Sequence, residues 1–294
     1  MSRRFAEVKT ARNWESEMIS YNAVIPIKRP DGSYGEPQIP LFSLRTLRTL
    51  GLLFCVLAYF GVCAWLAEVS PVKLVNGLPI LGRWIAGAWP PYYEGFHVML
   101  LRAAETVAIA TVATIVAALV AFPLSVLMSA NTRPSPIIAY PVRWFVNICR
   151  ATDTLIFAIL FVAAVGLGPF AGVLGMIVHS IGVIAKLNSE AIETIPNAPL
   201  DAAAMTGANR TKVVTYALLP SVMPSLGSVS LYVWEMNVRV STVLGLVGAG
   251  GIGIEIKAAI DLLDFPRLFT LSVIVVVMVT VIDQFSAWLR SKLI

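Results

Sequence analysis

The stretch Thr154 to Ala185, TLIFAILFVAAVGLGPFAGVLGMIVHSIGVIA, carries no Asp, Glu, Lys or Arg over 32 residues. A helix rises about 1.5 Å per residue and the hydrocarbon core of a bilayer is about 30 Å thick, so about 20 apolar residues cross it. The stretch is too long for one crossing and short for two. Its middle, GLGPF at Gly166 to Phe170, is a Gly-Pro break of the kind that ends one helix and starts the next. A tight hairpin of membrane helices follows, and its first member must begin before Thr154, near Phe145.

Working outward, the same count finds four more crossings. Thr49 to Ala67 is uncharged over 19 residues and Thr106 to Thr132 over 27, the latter span starting nearer Met99. Val213 to Trp234 is uncharged and continues past Glu235 and Arg239 to about Leu244. Proline is tolerated at a helix start because the amide it removes is unpaired there, so this fifth span is expected to begin near Pro220. Leu268 to Leu289 is interrupted only by Asp283. The expected architecture is all-α and multi-pass, with about six transmembrane helices and both termini on one side. Residues 1–47 are expected to form a tail and residues 48–294 the membrane domain.

Composition agrees. The hydrophobic share is 57% and the charged share 13%, against about 25% charged in soluble domains, which excludes both an ordinary soluble globule and a disordered chain. The 22 basic and 17 acidic residues leave a net charge of +5, and their placement gives an orientation. The tail, Arg133, Arg210, Lys212, Arg290 and Lys292 fall on one side, whereas Lys73, Arg83, Glu68 and Glu94 nearly cancel on the other. By the positive-inside rule both termini are cytoplasmic. No basic face or reading module accompanies the charge, so no nucleic-acid partner is expected. The run from Thr49 reads as a retained membrane anchor rather than a cleaved signal core. Cys55, Cys63 and Cys149 provide no disulfide framework: the first two are separated by about 12 Å of helix. Val24 to Pro40, with four prolines and two glycines, reads as an extended segment, lying along lipid, touching a partner or unstructured.

The polar loop of about residues 188–220 is too long for a simple connector. Within it lies DAAAMTGANRTKVVTYALLP, Asp201 to Pro220. Pro199 suits a first helical turn, Asp201 places negative charge at a helix N-terminus, and Ala202 to Ala204 favour helix. Gly207 permits a sharp turn, after which Asn209 can cap a second short helix through Tyr216. The product is a bent pair of helices at the membrane surface whose small side chains allow close approach, with Arg210 and Lys212 facing lipid or a partner.

This run resembles the cytoplasmic signature of ABC importer permeases: an acidic residue and two alanines, three residues to a glycine, nine more, then an aliphatic and Leu-Pro. Here these are Asp201, Ala202, Ala203, Gly207, then Ala217, Leu218, Leu219 and Pro220, with Asp in place of the usual Glu and Ala217 in place of Ile. FVAAVGLGPFAGVL (Phe161 to Leu174), KLNSEAIETI (Lys186 to Ile195) and NVRVSTVLGLVGAGGIG (Asn237 to Gly253) resemble the phosphonate-uptake branch, which includes phosphite and related phosphorus-oxyanion carriers. The likeness covers roughly residues 95 to 290. It implies that Asp201, Ala202, Ala203, Gly207, Asn209, Arg210 and Pro220 belong to a coupling helix docking on an ATPase. It further implies a bacterial inner-membrane location, a second permease subunit (identical or sibling), an ATPase dimer, an external binding protein and membrane lipid as partners. The chain has no GxxxxGK[ST], so ATP and Mg are expected on the separate ATPase and none in this chain, which is not itself an enzyme.

Gly248, Gly250 and Gly253 match the spacing GxGxxG, but after a membrane span and without a βαβ unit the dinucleotide reading fails. The resemblance makes them a Gly-rich external turn; a plain flexible loop is the alternative. Glu235 and Arg239 share a helical face at i and i+4, either neutralising each other or presenting Arg239 to an anion in the translocation path. His179, Gly182 and Lys186 share a face of the fourth span, with His179 either hydrogen-bonded inside the bundle or lining the path, and Lys186 snorkelling. Asp283 reads as paired or solvated. Arg143, Arg150 and Asp153 mark the entrance to the third span, where structural pairing is expected. The alternative function is an ion-coupled secondary transporter of a small anion, for which Glu235 is the candidate carboxylate. An intramembrane enzyme is disfavoured, since no HExxH occurs and neither histidine sits beside a nucleophile; no catalytic and no metal-ligating residues are assigned.

Overall fold

The computed structural model describes residues 27–28, 34–35, 44–133, 135–196 and 198–293. The chain divides into two compact units, residues 1–76 and 77–294. In the first, β1 (Ile27–Lys28) pairs antiparallel with β2 (Tyr34–Gly35), and α1 runs from Leu44 to Leu66. The rest of the expected 1–47 tail lies outside the described residues. None of the apolar stretch Arg48–Leu66 is buried, as suits a helix whose side chains face hydrocarbon. α2 (Pro71–Gly87) begins in this unit and ends in the second, so the segment between the first two spans is helical rather than a simple loop.

The second unit is built from α3 (Phe96–Met128), α4 (Pro136–Ala151), α5 (Thr154–Val165), α6 (Pro169–Glu193), α7 (Ala198–Met205), α8 (Arg210–Val213), α9 (Leu219–Leu244), α10 (Ile252–Asp261) and α11 (Phe265–Leu293). α6 is its axis, and glycines explain why. A Cβ on Gly175 would lie 2.7 Å from the Ala158 nitrogen, and one on Gly182 would lie 2.5 Å from the Arg150 nitrogen. Because Gly175 and Gly182 lie seven residues apart, they share a face, and α5 and α4 cross that face at backbone contact. Ala110, Ala113, Ala117 and Ala121 of α3 are fully buried and let α3 pack as closely from another side.

The hairpin forms where the Gly-Pro break places it: α5 ends at Val165 and α6 starts at Pro169, with Gly166 at φ 92° and Gly168 at φ 146°. Two other expectations need correction. The third span is not one helix from near Phe145, because α4 and α5 meet at 90°. Asp153 stops the first and starts the second: its Oδ1 accepts from the Leu155 N–H at 2.8 Å, an N-cap. α5 alone is 12 residues, about 18 Å, short of a full crossing. Nor does the fifth span start at Pro220. Helical backbone is continuous from Thr211 to Val247, through a π-helical turn at Val214–Leu218 in which the Leu219 N–H donates to the Val214 carbonyl. Pro220 has no N–H, and in an α-turn its ring would strike the carbonyl four residues back; the wider turn relieves that clash. Among the described residues, five helices are long and apolar enough to cross a membrane, or six if α4 and α5 count as one broken span.

Candidate functional site: a surface loop, a charged quartet and a glycine turn

The 188–220 loop is held from beneath by apolar packing. Leu200 of α7 is buried with Ile192, Leu218, Val222 and Leu226, which fixes one face of α7 and leaves Asp201, Ala202, Ala204 and Met205 exposed. Met205 is 90% exposed, an apolar knob that the sequence pattern did not single out. Gly207 takes φ 79° and donates its N–H to Ala204, ending α7. Asn209 then caps α8, its Oδ1 accepting from the Lys212 N–H at 3.0 Å. The expected cap is therefore present, but the helix it starts runs through Tyr216 into α9 rather than ending there. Ala203 is half-buried in α7, Pro220 lies in the first turn of α9, and Arg210 opens α8, its side chain lying outside the described residues.

The turn after α3 clasps the end of α6. The Asn131 amide donates to the carbonyls of Ile192, Glu193 and Ile195 at 3.3 to 3.4 Å. Glu193 returns the contact, accepting from the Ala130 N–H at 2.7 Å and from Arg143 at 3.3 Å. Arg143 also donates to the Met128 carbonyl at 2.6 and 2.9 Å. Of Arg143, Arg150 and Asp153, only Arg143 enters an ion pair among the described residues, with Glu193, a partner that spacing alone did not indicate; Asp153 caps α5 instead. Lys186 pairs with Glu190 one turn on, at 3.2 Å.

Glu235 and Arg239 meet at 3.4 Å, and they are half of a quartet. The Arg239 Nη2 also lies 3.3 Å from both carboxylate oxygens of Asp283, while Arg290 holds the other oxygen of Glu235 at 3.0 Å. Two cations and two anions thereby join α9 to α11. The Arg239 side chain is 47% exposed and Glu235 16%. His179 is elsewhere: its Nδ1 lies 2.9 Å from the Thr152 carbonyl at the α4–α5 corner, and among the described residues no hydrogen bond or ion pair joins it to the quartet. Next to the quartet in sequence, Asn237 is buried and donates to Thr114 at 2.9 Å and Ser180 at 2.8 Å. This neutral trio ties α9 to α3 and α6, and the sequence reading missed it.

At the opposite end of the bundle, Gly248, Gly250 and Gly251 have φ of 82°, 90° and 74°. A Cβ on Gly250 would lie 2.7 Å from Pro169 and one on Gly251 2.6 Å from the Thr106 hydroxyl. That hydroxyl accepts from the Ile252 N–H at 2.8 Å and donates to the Arg102 carbonyl at 2.9 Å. The turn is a packed plug against the α5–α6 hairpin and α3, and the flexible-loop alternative falls away. Arg102 and Arg267 bracket Glu255 beside it.

Comparison with known proteins supplies the setting for this geometry. Residues 121–294 match the family described as binding-protein-dependent transport system inner membrane component. The transport system permease HtxC of Stutzerimonas stutzeri is 44% identical over 235 residues, 80% of this chain and 83% of its own length. The phosphite transport system permease protein PtxC of the same organism is 35% identical over 253 residues, 85% of this chain and 91% of its own. Among solved structures, a chain of the inward-facing MetNI methionine ABC transporter superposes with a TM-score of 0.60 at 25% identity, covering 69% of this chain and 100% of that one. The chain belongs to the binding-protein-dependent transport system inner membrane components, as an ABC importer permease of the phosphonate and phosphite group.

Proposed function

We propose that this subunit carries phosphonate, phosphite or a related phosphorus oxyanion into the cytoplasm through a path that Arg239 helps to line. The observation that carries the reading is the unbroken helical run Thr211–Val247, which places the loop after α7 and the Arg239 guanidinium on one rod. Arg239 lies 20 residues beyond Leu219, about 30 Å along the axis. An ATPase pulling on α7 would therefore displace the very helix that bears the cation. A guanidinium suits a tetrahedral oxyanion because its parallel N–H donors match two oxygens.

In this reading Asp201, Ala202, Ala203, Gly207, Asn209, Arg210 and Pro220 form the coupling segment, and ATP and Mg sit on the separate ATPase dimer. A second permease, identical or sibling, completes the path, and an external binding protein delivers the anion. Both termini face the cytoplasm, because the basic residues flank that side. His179 is proposed to hold the α4–α5 corner rather than to meet substrate, since its ring is occupied by Thr152.

The test is reconstitution with the neighbouring ATPase, permease and binding protein. ATP hydrolysis stimulated by the loaded binding protein, appearing only when the separate ATPase is present, is expected. Arg239→Glu should abolish uptake; retention of uptake by that variant removes Arg239 from the path. Uptake by the lone chain driven by a proton gradient would overturn the importer reading altogether.

A further inference from the structure

We infer that Asp283 is a tethered competitor for the transported anion, holding Arg239 between cycles and releasing the anion from it within each cycle. The inference rests on the assignment of Arg239 to the path.

The geometry of the contact carries it. Both oxygens of Asp283 approach a single nitrogen of Arg239, Nη2, at 3.3 Å, and Glu235 reaches the same nitrogen at 3.4 Å. Charge-assisted hydrogen bonds of this kind ordinarily lie at about 2.7–2.9 Å, and an Arg–carboxylate pair at its best is bidentate across two nitrogens. Here the second nitrogen, Nη1, faces the Met236 sulfur at 3.6 Å. The guanidinium is thus neutralised by three long contacts on one corner, and the edge that a tetrahedral oxyanion would grip is left to a thioether. Glu235 cannot move freely to improve the fit, because Arg290 holds its other oxygen at 3.0 Å. Asp283 can: its side chain is 39% exposed and Arg239 is its recorded ion-pair partner among the described residues.

Charge explains why such a competitor is needed. An unpaired arginine at membrane depth is costly, so the helix pair requires an anion at Arg239 when the path is empty. The same cation, left alone with a bound oxyanion, would retain it. A carboxylate on the neighbouring helix serves both ends: it is displaced when the oxyanion arrives, stays solvated at the edge of the site, and returns as α9 and α11 close. No bond is made or broken, and the sum of charges on the quartet stays at zero in the resting state. A purely structural role would instead favour a contact at least as short as the 3.0 Å one that Arg290 makes with Glu235.

The experiment uses the full transporter in proteoliposomes containing ATP, with the loaded binding protein outside and unlabelled anion preloaded inside at graded concentration. Phosphite is the probe, with methylphosphonate and phosphate run in parallel, and the initial rate of labelled uptake is read. Asp283→Asn is expected to be half-inhibited at an internal concentration lower by about tenfold, the equilibrium equivalent of one charge-assisted hydrogen bond. Asp283→Glu is expected to restore the original curve. Arg239→Gln is expected to lose uptake, alone and combined with Asp283→Asn. An Asp283→Asn protein with an unchanged inhibition curve, or one whose only change is a lower melting temperature, overturns the role given to Asp283. Uptake surviving Arg239→Gln instead overturns the path assignment itself, so the two failures are told apart.

Discussion

Replacing Gly175 by Ala adds one methyl group where α5 crosses α6, and the structure says what it meets. The new Cβ would lie 2.7 Å from the Ala158 nitrogen, 2.8 Å from its Cα and 3.1 Å from the Phe157 carbonyl carbon. These are backbone atoms, so no side chain can rotate aside. Ordinary contact begins at 3.4 Å, and the crossing must open by about 0.7 Å, the difference between 3.4 and 2.7. Overpacking of this kind costs about 1–3 kcal/mol, partly offset by the better helix propensity of Ala, about 1 kcal/mol. The net expectation is a loss of up to about 2 kcal/mol, or a fall of up to a few degrees in the melting temperature of the purified transporter. Gly61→Ala is the matched control, since nothing lies within 4 Å of its Cβ; there only the propensity gain should remain. Thermal unfolding followed by fluorescence-detected size exclusion reads both. A Gly175→Ala protein that melts at or above the original temperature, with Gly61→Ala no more stable than it, would refute the claim that backbone contact sets this crossing.

On the proposed coupling role of the loop after α6, two further outcomes are expected there. Leu200→Ala removes the buried anchor of α7, at a local cost of about 2–4 kcal/mol, and should weaken co-purification of the ATPase, whereas Met205→Asp should do the same without lowering the melting temperature because that side chain is 90% exposed. Gly207→Ala forces a Cβ into the left-handed region at φ 79°, costing about 1–2 kcal/mol, and should lower ATPase stimulation by loaded binding protein more than it lowers stability. Each is checked by pull-down, melting curve and coupled ATPase assay on the same preparation.

The number and apolarity of the crossings are legible in the sequence because membrane spans announce themselves by length and absence of charge. The α5–α6 hairpin is equally legible, since Gly166 and Pro169 are residues whose backbone demands are local. The 90° corner before it was hidden for a definite reason: an uncharged run looks the same straight or bent, and Asp153 is read as a flank until its cap on Leu155 is seen. The π-turn was hidden likewise, because Pro220 is tolerated both at a helix start and after a widened turn. Of the site, the loop from Asp201 to Pro220 was readable from local chemistry, whereas the Asn131 and Glu193 clasp joins residues about sixty positions apart and leaves no periodic trace. The Arg239–Asp283 contact did leave one. Asp283 is the only charge in Leu268 to Leu289, and Glu235 and Arg239 are the only charges between Val213 and Leu244; lone charges in two apolar helices lower their cost by finding each other.

On the proposed function, that pairing bears on how force would reach the path. α9 is fastened at three levels: by Leu218, Val222 and Leu226 beside α7, by the neutral Asn237 trio to α3 and α6, and by the charged quartet to α11. The trio is buried and made of hydrogen bonds of 2.8 and 2.9 Å, whereas the Arg239 contacts are long and half exposed. The Arg239–Asp283 contacts, at 3.3 Å, are longer than those of the trio, and a buried donor left without a partner costs about 1–3 kcal/mol. A displacement starting at α7 would therefore loosen the Arg239–Asp283 contact before it separated α9 from α3 and α6. The helices that hold Asn237 would move with α9 as one body, and the interface that yields is the one carrying the cation. On the proposed function, substrate contact and conformational change would then fall on the same pair of helices.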